Sequence, residues 1–291
     1  VHVSLLRAEK WQARMLEEVN FGPWQPAPGE ASRPIFAIGD IHGRFDLLVN
    51  LVRTIEQVIA NESLTHAVVV FLGDYIDRAP RGLRVLRAVF SDDPVKGAEV
   101  VRLPGNHEQM MLSFLRAGDP MRPLLIWANN GADRFLSEVG MSLREAAADP
   151  TTAKARIKEA LGEGLLAAIL AMPVHHREAG FLFVHAGIHP RFGLRALSRD
   201  WTVMPADNKD GDSDPLWIRG PFLTFQGMHE EGLIVVHGHT PRDEPEFMSN
   251  RINLDTEAFL SGRLTCLQIV GSEMRVLQTR GDRQERAGGW L

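Results

Sequence analysis

The sequence predicts an α/β fold organised on a parallel sheet, and three observations carry that expectation. Residues 35–38, 67–72 and 99–103 are short apolar runs that read as buried strands. Stretches with helical spacing separate them, giving a β-α-β-α-β order that implies a parallel sheet covered by helices. Each strand then runs through glycine into groups able to bind metal: Gly39-Asp40-Ile41-His42-Gly43, Gly73-Asp74-Tyr75-Ile76-Asp77-Arg78 and Gly105-Asn106-His107-Glu108. Such sheets bind ligands beyond the carboxyl ends of their strands, and glycine permits the sharp exit.

In chain order, Leu5, Leu6, Met15, Leu16 and Val19 suggest an amphipathic helix. Residues 21–33 contain Pro23, Pro26, Pro28 and Gly29 and read as a connecting loop, with Trp11 and Trp24 anchoring this arm to the body. Helices are expected at 45–60, 82–90 and 108–115, where apolar side chains recur on one face. Residues 117–172 show no strand pattern and are rich in helix formers, so they read as a helical insertion over the sheet's carboxyl end, interrupted at 127–131. Strands at 181–184 and 233–236 end in His185-Ala186-Gly187 and His237-Gly238-His239-Thr240-Pro241. Between them, 191–232 is irregular with an acidic, solvated tip at 207–214. Residues 251–254, 264–270 and 274–278 read as consecutive antiparallel strands, with turns at Ser261-Gly262 and Gly271-Ser272. The expected division is an arm (1–33), a main domain (34–280) with its insertion at about 117–172, and a frayed polar tail (281–291).

With 291 residues, 44% of them apolar, the chain can bury a substantial core. A net charge of −5 argues against nonspecific nucleic-acid binding. The single cysteine, Cys266, excludes an intrachain disulfide and a thiolate metal cluster, and its apolar neighbours mark it as a core residue. No run approaches the ~18 apolar residues of a membrane span, and no signal peptide is visible, so no membrane partner and a cytoplasmic location are expected.

The groups at the strand ends are Asp40, His42, Asp74, Asn106, His107, His185 and His237 or His239. Carboxylate, amide and imidazole without thiolate suit Mn, Fe or Zn. There are enough of them for two ions, with Asp74 able to bridge the pair. Two-metal phosphate hydrolases use that arrangement to polarise phosphoryl oxygens and to turn a bridging water into an in-line nucleophile.

The ordered series GDxHG, GDxxDR, GNHE, HAG and GHT resembles the phosphoprotein phosphatase family of the calcineurin-like metallophosphoesterases, over residues 34–270. The similarity is to bacterial and phage serine/threonine phosphatases, with symmetrical diadenosine-tetraphosphate hydrolases as neighbours. The resemblance implies a metal-bearing β-sandwich flanked by helices. It implies that Asp40, His42 and Asp74 hold one metal, and that Asp74, Asn106, His185 and His239 hold a second. Manganese is the first expectation for both, with iron or zinc as alternatives. It further implies His107 as general acid, kept as imidazolium by Asp77. Arg78, Asn106 and Arg219 would contact phosphate. The activity implied is phosphomonoester hydrolysis on a phosphoserine/phosphothreonine protein or a small phosphoester. Symmetrical diadenosine-tetraphosphate hydrolysis is the alternative, and an inactive binding protein a minor one. Trp127, Asn130 and Gly131 resemble a segment present in both enzyme groups.

The chain departs from the pattern in three places. Ala79 and Glu257 stand where glycine is common, and Pro241 stands where the wider superfamily places another histidine. Among the remaining candidates, His237 reads as a packing or supporting residue and Arg44 as an exposed helix start, while His175-His176 reads as a solvated loop.

Overall fold

The computed structural model describes residues 19–205 and 212–283. Most of the helix expected over Leu5–Val19, with Trp11, most of the acidic tip and the end of the tail lie outside the described residues; Val19, its last expected residue, is instead in a strand. The first sheet opens with β1 (Val19–Phe21), β2 (Gln25–Pro26), β3 (Ile35–Ile38), β4 (Ala67–Phe71) and β5 (Ala98–Arg102). A second sheet takes up the chain with β6 (His175–Glu178), β7 (Phe181–Val184), β8 (Ile234–His237), β9 (Glu246–Phe247) and β10 (Arg251–Asn253). The chain then returns to the first sheet through β11 (Thr265–Val270) and β12 (Glu273–Thr279). Strand order is β1-β12-β11-β3-β4-β5 in one, with β2 also on β12, and β6-β7-β8-β10-β9 in the other. The runs β3-β4-β5 and β7-β8-β10 are each parallel.

Side-chain alternation along the strands produces the layers. Ile35 and Ala37 of β3 and Val68 and Val70 of β4 join Phe181, Phe183, Ile234, Val236, Ile252, Leu267 and Ile269 in a core between the sheets. Their neighbours Phe36, Ile38, Val69 and Phe71 face the opposite way, into a core shared with the helices. Full burial of each such side chain contributes about 1.5–3 kcal/mol, so a shift of one residue in register would expose a whole row.

Helices α1 (Phe45–Asn61) and α2 (Gly82–Val89) link the parallel strands, and α3 (Asn106–Arg116) begins directly at the second residue of the Gly-Asn-His-Glu motif. The insertion supplies α4 (Met121–Ala128), α5 (Asp133–Glu138), α6 (Leu143–Ala148) and α7 (Pro150–Leu170). Leu124, Trp127, Phe135, Leu136, Ile157 and Ile169 of this insertion share the helix-side core with Phe36 and Phe71. Among the described residues no helix is long and apolar enough to cross a membrane.

Six local expectations are corrected. The 21–33 stretch is not only loop, because β1 and β2 pair antiparallel with β12; runs of two or three residues are too short to show a period. Trp24 of this stretch lies 4.4 Å beneath the Arg275 guanidinium. Residues 251–253 do not continue into the final hairpin but pair parallel with β8 in the other sheet. A short helix at Ala258–Ser261 stands where a turn was expected and carries the chain between sheets. His175 and His176 belong to β6, paired with β7, and are not a free loop. Arg44 is buried: it donates to the Ala258 carbonyl oxygen and pairs with Asp46 at 2.7 Å, so a residue read from its neighbours as exposed is covered by a segment over 200 positions away. Asp214, placed by sequence in the solvated tip, is also buried, and accepts the Leu216 N–H at 2.8 Å.

Candidate metal centre

Each candidate ligand follows a strand. Asp40 and His42 follow β3, Asp74, Asp77 and Arg78 follow β4, and Asn106 and His107 lie at the start of α3 beyond β5. From the second sheet, His185 follows β7 and His239 follows β8. These residues are buried except Arg78, which is half-buried.

The loops that carry them are conformationally strained. His42, Asp74, Asp77, Arg78 and His239 have φ between 45° and 67°, the left-handed region that non-glycine residues rarely adopt. Each such residue costs of order 1 kcal/mol or more and persists only where surrounding contacts over-determine it. Glu108 supplies part of that constraint. Its carboxylate accepts the N–H groups of Asp74 at 3.0 Å, Tyr75 at 2.9 Å and Gly105 at 2.9 Å, clamping the β4 loop to the start of α3. Asp74 Oδ1 accepts the His107 N–H at 3.1 Å in return. Two glycines make the approach possible. A Cβ on Gly105 would lie 2.0 Å from Asp74 Oδ1, and one on Gly73 (φ 103°) would lie 2.5 Å from the Gly105 nitrogen.

Four imidazoles direct acceptor nitrogens toward one centre. His42 Nδ1 donates to the Ile76 oxygen at 2.9 Å, and its Nε2 lies 3.4 Å from Asp74 Oδ2. His185 Nδ1 donates to the Leu72 oxygen at 2.8 Å, leaving Nε2 3.0 Å from Asn106 Oδ1 and 3.4 Å from Asp74 Oδ1. His239 is turned the other way: Nε2 donates to the Trp217 oxygen at 3.2 Å, and Nδ1 faces Asn106 Oδ1 at 3.0 Å. His107 Nδ1 donates to Asp77 Oδ2 at 2.7 Å, and its Nε2 stands 3.9 Å from Asp74 Oδ2. Carbonyl and carboxylate oxygens only accept, so the outer nitrogen of each ring carries the proton and the inner one a lone pair. Burial keeps the rings neutral, lowering all four pKa values, that of His185 to about 4.

Lone pairs of imidazole, carboxylate and amide therefore face one another, and cations relieve that opposition. His42, Asp74 and His107 form one possible ligand triad, and Asp74, His185 and His239 a second, sharing Asp74. The nitrogen and oxygen donors fit divalent metals of intermediate hardness. Asp40 stands outside both triads. Its carboxylate accepts the His239 N–H at 3.0 Å, and burial followed by repulsion from Asp255 raises its pKa. Burial likewise pushes Asp74 up to about 7, against the opposing His107 N–H bond and the charges of Arg78 and Arg219.

The Asp77–His107 pair corrects one expectation. Pairing with a carboxylate was expected to hold His107 as imidazolium, but desolvation is the larger effect on both partners. It raises Asp77 well above and lowers His107 well below their ordinary values, so both favour their neutral forms. Arg78 packs its guanidinium 5.1 Å from the Phe259 ring centroid, and Arg219, solvent-exposed, donates to the His239 oxygen at 3.3 Å. His237 packs edge-on against Phe222 at 4.9 Å and donates Nδ1–H to the Gly238 oxygen.

Sequence reasoning gave no role to three residues at the centre. Glu108 was part of a quoted motif, yet its clamp is visible only once two loops meet. Trp127 donates Nε1–H to Asp77 Oδ2 at 2.6 Å, and its signal was an indole in an apolar helix, where a buried N–H must find a partner. Asp255, a buried carboxylate pushed up to about 6 mainly by burial, accepts the N–H of Glu257, whose φ of 54° lies in the left-handed region that glycine would adopt without strain.

The family described as calcineurin-like phosphoesterase matches residues 33–262. The chain belongs to that family. It is a metallophosphoesterase hydrolase with the mixed α/β, two-sheet fold of the group. Asymmetrical bis(5'-nucleosyl)-tetraphosphatase PrpE of Anoxybacillus flavithermus is 26% identical to it, over 79% of this chain and 88% of that protein. The Bacillus subtilis protein of the same name is 28% identical, over 78% of this chain and 87% of that protein. Among solved structures, a cold-active protein-tyrosine phosphatase of a Shewanella species is 19% identical with a TM-score of 0.47, covering 81% of this chain and 77% of that one.

Proposed function

We propose that this metallophosphoesterase hydrolyses a phosphoanhydride bond of dinucleoside tetraphosphates. The observation that carries the substrate class is the match, across most of both chains, to proteins named bis(5'-nucleosyl)-tetraphosphatase. In this reading Asp40, His42 and Asp74 hold one cation and Asp74, Asn106, His185 and His239 the other, with manganese first and iron or zinc as alternatives. Bound there, two cations would neutralise phosphoryl charge and lower the pKa of water at the site.

The protein's own groups divide the rest of the work. Arg78 and Arg219, whose charges both act on Asp74, orient the phosphoryl oxygens, and Asn106 adds its amide. His107 Nε2 faces the centre with a lone pair, so it is the atom placed to take up a proton from water and then pass it to the leaving oxygen. Asp77 fixes the ring by accepting Nδ1–H. A substrate with several phosphates matches a centre built from two cations and two guanidinium groups.

A second reading, phosphomonoester hydrolysis on a phosphoserine or phosphothreonine protein, is favoured by Arg219, which the resemblance to the phosphatases implies as a phosphate contact and which reaches the backbone of His239. Protein stripped with chelator and reloaded with Mn²⁺ distinguishes the two on a panel of diadenosine tetraphosphate, a phosphopeptide and p-nitrophenyl phosphate. The proposal expects the highest kcat/KM on the diadenosine tetraphosphate, with nucleoside monophosphate and triphosphate products if cleavage is asymmetrical and two nucleoside diphosphates if symmetrical. A higher kcat/KM on the phosphopeptide selects the second reading, and no turnover of any of the three with any divalent metal removes both.

A further inference from the structure

Outside the metal centre, a surface pocket of about 440 Å³ is lined by Arg191, Phe192, Arg195, Ser198, Arg199 and Ser213. The three arginines are spaced four apart around the 3-10 turn Gly193–Ser198, which brings three guanidinium groups to one pocket in a chain of net charge −5. Arg199 is partly neutralised by Asp214 at 3.7 Å. Arg191 and Arg195 make no ion pair with any described acidic residue. The carboxylate beside this turn, Glu230, is occupied in accepting the Leu194 N–H at 3.0 Å. Phe192 rests on the His189 ring at 4.6 Å with an interplanar angle of 33°, yet remains 45% exposed, a large apolar ring at the pocket wall.

We propose that this pocket is a second, non-catalytic site for a nucleoside phosphate, with the base stacked on Phe192 and the phosphate held by Arg191 and Arg195. Guanidinium groups grip phosphate oxygens through paired N–H donors, and an exposed aromatic face accepts any base. The volume suits one nucleotide and not an extended chain. The site shares no residue with the metal centre, so the inference does not depend on which phosphoester is cleaved there.

The test is calorimetric titration of the full chain, metal-stripped, with adenosine monophosphate, adenosine and inorganic phosphate as separate probes. Adenosine monophosphate is expected to bind more tightly than either fragment, and Arg191→Ala with Arg195→Ala to weaken it by at least about tenfold per guanidinium. Phe192→Ala is expected to erase its advantage over inorganic phosphate. Manganese-loaded double variant should hydrolyse p-nitrophenyl phosphate within about twofold of wild type, since neither arginine touches the centre. Arg78→Ala should leave the binding intact. No binding of adenosine monophosphate, equal binding in the double variant, or loss confined to Arg78→Ala would each overturn the proposal.

Discussion

Trp127 Nε1 lies 2.6 Å from Asp77 Oδ2, the same oxygen that accepts His107 Nδ1–H at 2.7 Å. Helix α4 therefore reaches the Asp77–His107 pair through one hydrogen bond, made between fully buried groups. That bond holds the Asp77 pKa down against burial. Trp127→Phe keeps the ring and removes the donor, leaving a buried acceptor less satisfied at a cost of about 1–3 kcal/mol. The expected result is a kcat roughly tenfold lower and, because Asp77 loses a stabilising donor, an acid limb of the pH–rate profile moved to higher pH. Metal content by mass spectrometry should not change. A profile that keeps its position would assign Trp127 to packing alone.

Replacing His107 separates proton donation from metal binding. The ring lies within reach of Asp74 but directs its proton-bearing nitrogen to Asp77. His107→Asn should lower kcat for p-nitrophenyl phosphate by about 10²–10⁴, the range of general-acid catalysis. The loss should be larger for a phosphoserine peptide, because the serine alkoxide is a far more basic leaving group than p-nitrophenolate and needs the proton more. Metal analysis checks the assignment: one ion lost per chain would make His107 a ligand.

Backbone contact between two loops sets the position of Asp74, and one methyl group tests it. A Cβ at residue 105 would stand 2.0 Å from Asp74 Oδ1 and 2.3 Å from its nitrogen. Gly105→Ala should displace the shared carboxylate and weaken metal binding by about 10–100-fold, as loss of a supporting contact does at other metal sites. Competition with a chelator of known affinity measures it, and circular dichroism confirms that the variant is folded.

Acid stability offers a readout away from the centre. His229 is buried between Phe222 and Phe225, with its Nε2 unpartnered, and burial lowers its pKa to about 4. The folded-state value lies below the unfolded one, so the unfolded chain binds a proton first. The neutral ring's contribution is fully present above about pH 6.5 and is lost as pH falls toward 4. His229→Phe keeps the stacking and removes the titration. Its melting temperature relative to wild type should therefore rise between pH 7.5 and pH 5, whereas a constant difference would show that His229 is not titrating.

Much of the site could be read locally. Asp40, Asp74 and His107 each follow an apolar run and a glycine within a few residues, and strand, turn and ligand are all encoded within one short window. The helical insertion was equally legible from its composition. What failed was long-range. Arg44 looked exposed beside its own neighbours but is covered by Ala258, and residues 251–253 looked like part of the last hairpin but pair with β8. A strand's period reports that it has two faces, not which sheet it joins.

By itself, then, the sequence determined the candidate ligand types, their order along the chain and their place at strand ends, because these depend on short-range pattern. The tertiary structure decided which lone pair meets which oxygen, that Glu108 and Trp127 hold the loops and the acid pair, and that His107 and Asp77 favour their neutral forms. Those outcomes rest on desolvation and on hydrogen bonds between β4, α3 and α4, and neither exists until the segments that exclude water have come together.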